Sequence, residues 1–207
     1  MREGRRCRRY EAAPARLKDV LLGDKPVYAP DRAFDTLHVR LDIGVDFPKK
    51  TVNGLCTTRI RAFENGLREV TLRAAGMKIL GAKSAGRSLS FRHKNDTLKI
   101  TLPGKLTAGE ETVFEVRYRI SKPSTGFHFV GPNKENRKSP VQLWSQGQPE
   151  DAHYWFPCHD SPDEKATSEI VATVPKGFVA VSNGLLSSRR KEGGKEIFHW
   201  HMRRPHS

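Results

Sequence analysis

Side chains able to bind a metal or move a proton are densest between Leu143 and Lys165, in LWSQGQPEDAHYWFPCHDSPDEK. His153, Cys158, His159 and Asp160 all carry donor atoms that suit zinc. Their spacing matches no structural-zinc pattern, however, and neighbours in sequence seldom point at one ion. Cys158, beside Phe156-Pro157, reads as buried and inert. A second pair, His199 and His201, lies two residues apart, which puts both imidazoles on one face of a strand at a spacing that can chelate zinc. Two ligands do not complete a site, and nothing nearby supplies a third. They read as surface histidines opposite Phe198, Trp200 and Met202. No H-E-x-x-H, no G-x-S-x-G and no phosphate-binding glycine loop occurs. The expectation is therefore no metal ligand, no cofactor and no catalytic residue within these 207 residues.

The same stretch interrupts a chain otherwise built from short alternating segments. It holds two of the three tryptophans, Trp144 and Trp155, with Tyr154, Phe156 and Pro157. An irregular segment this apolar must bury its rings and find internal partners for its backbone. At its end, Ser161-Pro162-Asp163-Glu164 fits a helix start, with Ser161 as N-cap, Pro162 first and Glu164 closing a capping box. A short helical turn over 162–166 should follow.

The scaffold reads as strands. Leu37, Val39, Leu41, Ile43 and Val45 alternate with His38, Arg40, Asp42, Gly44 and Asp46, a half-buried strand with His38 on its polar face. Further strands are expected over 52–62, 70–72, 77–80, 89–91, 98–102 (stopped by Pro103-Gly104), 114–120, 127–130, 170–174, 178–181 and 197–202, with a turn at Asn183-Gly184. Strands at this spacing, with no long amphipathic helix, predict an all-β sandwich or curved sheet.

Composition sets the limits. Hydrophobic residues make up 36% and charged residues 29%, and the formal net charge is +14. Residues 1–30 read as a basic, poorly ordered extension, and 31–207 as one β domain. Beyond the first 18 residues, thirty basic against twenty-one acidic residues still leave +9. The excess is scattered along strands without interleaved aromatics, so it reads as a solvated surface rather than a nucleic-acid site. No apolar run reaches the length of a membrane span. Cys7, Cys56 and Cys158 are too few and too far apart for a disulfide framework, which points to reduced thiols and a cytoplasmic setting.

Ser145-Gln146-Gly147-Gln148, then Asp151-Ala152-His153-Tyr154-Trp155-Phe156-Pro157-Cys158, Asp160, Pro162 and Lys165-Ala166 resemble the N-terminal domain of the gluzincin zinc aminopeptidases, the family of aminopeptidase N and leukotriene hydrolase. The family pattern is T/S-Q-x-E/Q, an A-R pair, F-P-C-x-D-x-P and K-A. The resemblance runs from about Tyr28 to Ser207. It implies a saddle-shaped, mostly antiparallel β domain that anchors peptide N-termini. Gln148 falls on the residue that holds the substrate's α-amino group, and Gln146 on one lining the first side-chain pocket. An ammonium has donors only, so acceptor oxygens suit it. Trp155, Phe156, Pro157, Cys158, Asp160, Pro162 and Lys165 fall on the structural part of the motif. His153 stands where the family has Arg, making any ion pair there pH-dependent. The family's zinc motif and G-x-M-E-N loop are absent, so the chain reads as a fragment of a zinc enzyme. The alternative is a noncatalytic binding module, as in the promoter-recognition subunit of a general transcription factor.

Overall fold

Strand β1 (Phe34–Asp46) and strand β2 (Thr51–Ala62) form a long hairpin, turned at Phe47–Lys50 by the Lys50 N–H to Phe47 carbonyl bond of 3.1 Å. The alternation that predicts them appears as burial: Val52, Gly54, Cys56, Thr58 and Ile60 face inward while their neighbours stay wetter. A computed structural model describes residues 31–148 and 150–207; the basic 1–30 extension lies outside the described residues.

The remaining strands are β3 (Leu67–Arg73), β4 (Met77–Ser84), β5 (Arg87–Ser88), β6 (Phe91–Lys94), β7 (Thr97–Leu106), β8 (Glu111–Ser121), β9 (Phe127–Val130), β10 (Gln142–Ser145), β11 (Ala166–Pro175), β12 (Leu185–Glu192) and β13 (Lys195–His206). Eight of them make a sheet in the order β12-β13-β11-β1-β2-β8-β4-β5, beside a three-stranded sheet β3-β7-β6 and the β9–β10 hairpin. Only β1 and β11 run parallel among the described pairs. The all-β, mostly antiparallel architecture expected from the sequence is the one observed. The inner faces of the two larger sheets share one core, with Val52, Ile60, Val70, Leu98, Ile100, Phe114, Val116 and Tyr118 fully buried. Tyr118 closes over Gly54, where a Cβ would lie 2.1 Å from its ring.

Four sequence expectations need correction. Pro103-Gly104 does not stop its strand: β7 runs to Leu106, with the register against β3 slipping between Leu67 and Glu69. A bulge is where a sheet tolerates proline. Residues 178–181 are not a strand. Phe178 turns back to stack on Phe47, centroids 4.3 Å apart, and the Ala180 carbonyl takes the Trp200 indole N–H. The strand lies later, at β12, every residue of which is exposed; pairing to β13 across the Gly193-Gly194 turn (φ 54° and 72°) forms it, not an apolar pattern. The helical turn over 162–166 is a β-turn closed by the Glu164 N–H to Ser161 carbonyl bond of 3.1 Å. The Ser161 hydroxyl donates to Asp163 instead of capping, and Glu164 reaches out to the Thr36 N–H (3.0 Å) and Arg32.

Candidate functional site

The irregular stretch is fastened at both ends and along its length. At its start, β10 pairs with β9, and Trp144 stacks on His128 with centroids 4.0 Å apart. Immediately after, the Gln146 N–H bonds the Gly126 carbonyl (2.8 Å) and the Asp151 N–H bonds the Gly147 carbonyl (2.9 Å). Between those two anchors Gln146 and Gln148 are both exposed, so their amides stand on a fixed backbone and face outward.

The next residues dock on the end of β3. Cys158 and Arg73 exchange backbone bonds (2.8 and 3.1 Å), and Ala75 N–H bonds the His153 carbonyl at 2.9 Å. Trp155 and Phe156 pack against the core, with Trp155 edge-on to Phe127 at 5.5 Å, and Pro157 is fully buried. Cys56 and Cys158 are free thiols; burial pushes Cys56 up to about 12, so it is an inert core group. Pro162 and Lys165 are exposed.

His153 is buried, and Asp160 accepts from both its backbone N–H (3.1 Å) and its ring Nδ1 (2.5 Å). Its Nε2 lies 3.2 Å from the Arg73 guanidinium. A guanidinium has only donors, so Nε2 accepts and Nδ1 carries the proton. Arg73 also faces Glu150 at 3.5 Å. His153, Cys158, His159 and Asp160 thus do not form a metal centre: ring and carboxylate bond each other, and the thiol faces the core. Among the described residues, no group of three or more His, Cys, Asp or Glu could hold a metal ion. No local signal marked Arg73 as a partner, because it arrives from a strand 80 residues away.

His199 and His201 do share the outer face of β13. The sheet adds what sequence proximity could not, Glu169 of β11 and His38 of β1, with His199 Nε2 at 2.7 Å from the Glu169 carboxylate.

Residues 35–207 match the family model for the peptidase M1 N-terminal domain. The chain belongs to the peptidase M1 N-terminal domain family. It is 25% identical to leukotriene A-4 hydrolase of Xenopus laevis over 89% of this chain and 32% of that protein. It is 26% identical to aminopeptidase B of Rattus norvegicus over 84% of this chain and 30% of that protein. Transcription initiation factor TFIID subunit 2 of Gallus gallus is 33% identical across 94 residues, 44% of this chain and 8% of that one. The M1 domain thus spans about a third of the two peptidase relatives. The crystal structure of an M1 zinc metallopeptidase from Deinococcus radiodurans superposes with a TM-score of 0.73 at 24% identity, over 84% of this chain and 40% of that one, which supports the same fold. No described helix is long and apolar enough to cross a membrane.

Proposed function

We propose that this M1 domain is the substrate-anchoring part of a zinc aminopeptidase. The observation that carries the reading is the exposed Gln146–Gln148 segment held between two backbone anchors beside a buried, satisfied network. Gln148 Oε1 accepts from a peptide's α-ammonium, and Gln146 lines the pocket for the first side chain. A neutral carbonyl holds an ammonium less tightly than a carboxylate does, so the site favours positioning over tight binding. Zinc bound in the family's separate H-E-x-x-H domain supplies the activated water. This chain contributes orientation of the substrate's N-terminus, which converts to rate when the scissile bond is fixed near that water.

The test uses the protein in which this domain is joined to its zinc domain. Gln148→Ala is expected to lower kcat/KM for aminoacyl amides about 10- to 100-fold, the equivalent of one charge-assisted hydrogen bond. Gln148→Glu restores or exceeds the original value. Equal activity in all three proteins overturns the anchoring role. The likeness to TFIID subunit 2 supports a second reading, a noncatalytic binding module. It predicts no hydrolysis by the joined protein at any zinc concentration.

A further inference from the structure

The β9–β10 hairpin turns one face to the core and the other to solvent. Phe127, Phe129 and Leu143 pack inward, so by strand alternation His128 and Trp144 point outward. These two residues stand directly opposite each other in the ladder, and their rings stack with centroids 4.0 Å apart and planes 18° from parallel. Trp144 is nevertheless 46% exposed. One face of its indole lies on the imidazole, and no other ring or cation packs on it among the described residues.

The same ladder leads to the exposed glutamines. The Gln146 N–H to Gly126 carbonyl bond of 2.8 Å carries the pairing one step beyond Ser145. Gln146 therefore follows Trp144 on the outward side, two residues on and about 7 Å along the strand. A lone exposed apolar side chain is ordinary on a protein surface. This ring differs in being ordered in advance: stacking on His128 holds the indole in one orientation, in line with Gln146. A second planar group can lie on it without further loss of indole rotamer freedom.

We propose that Trp144, held by His128, is a platform for a planar side chain on the first residue of the peptide, an aromatic ring or a guanidinium. The proposal rests on the anchoring reading of Gln146 and Gln148 and adds a substrate preference to it. With the α-ammonium at Gln148 and the first side chain passing Gln146, the next surface along the row is the indole. An aromatic ring stacks offset on that face, and a guanidinium lies flat on it, attracted by the ring quadrupole. A branched aliphatic side chain has no flat face and gains contact area only. His128 is a positioning residue, acting on the substrate through the orientation of the indole.

The test uses the protein in which this domain is joined to its zinc domain, with tyrosyl, arginyl, leucyl and alanyl amides as substrates. Trp144→Leu is expected to lower the kcat/KM ratios of tyrosyl and arginyl amide over leucyl amide about 3- to 10-fold, the size of one aromatic-stacking or cation–π contact. Trp144→Phe should retain most of the preference. His128→Ala should lower it, and His128→Phe should restore it. A loss confined to the tyrosyl or to the arginyl amide supports the platform and identifies which planar group it takes. Ratios unchanged in Trp144→Leu overturn it, and so does an equal loss for all four amides, which would mark Trp144 as covered by the zinc domain. Gln148→Ala tests the anchor separately, since it lowers all four amides by one factor and leaves the ratios alone. Hydrolysis of none of them by the parent protein overturns both readings.

Discussion

Asp160 carries the docking of the irregular stretch. It accepts from the ring and the backbone of buried His153, and among the described residues no other acceptor bonds either donor. Asp160→Ala leaves both N–H groups buried without a partner, at about 1–3 kcal/mol each when unsatisfied. The expected loss is about 2–4 kcal/mol in urea unfolding, and a loss under 1 kcal/mol would show that water takes over the bonds. Arg73 of β3 sets its guanidinium against the other ring nitrogen of His153.

At the scale of elements, the connection between β8 and β9 sets the position of the glutamines. Gly126 has φ +79°, its carbonyl takes the Gln146 N–H, and a Cβ there would lie 2.7 Å from Tyr154 Cβ. Gly126→Ala is strained in φ and also pushes the 152–156 segment away. It should destabilise the chain by more than about 1 kcal/mol. In the joined enzyme it should raise KM for aminoacyl amides with Gln148 itself unchanged. Unaltered stability and KM would separate the loop from the anchor. The β-turn at Ser161–Glu164 works alongside, since Glu164 ties the stretch to the start of β1 through Thr36.

For the whole molecule, the histidine face makes folding sensitive to acid. His38 titrates lower in the folded chain than its ordinary 6.5, so between the two values the unfolded chain binds more protons. Its contribution is complete above about 6.5 and is lost as pH falls through the folded value. Glu169, held below its ordinary 4.5, adds a second loss in the same direction at lower pH. Thermal melts of the chain should show Tm falling as pH drops below about 6.5, and His38→Gln should flatten that upper step. A Tm that rises on acidification would contradict the sign.

Alternation of apolar and polar residues determined most of the fold, because a strand with one buried face carries its period in its own residues. The M1 membership was equally legible, since Ser145–Gln148 and Trp155–Ala166 lie in one ordered run. β12 carried no such pattern, being an exposed strand defined by its partner, and Pro103 looked like a stop because a bulge depends on the neighbouring strand. Chemistry that needs residues from different strands was beyond the sequence. Arg73 reaches His153 across 80 residues, and His38 meets Glu169 and His201 only because the parallel β1–β11 pairing sets β1 two strands from β13. Side-chain types are local information; which of them share a face is decided by register, and register is a property of the folded sheet.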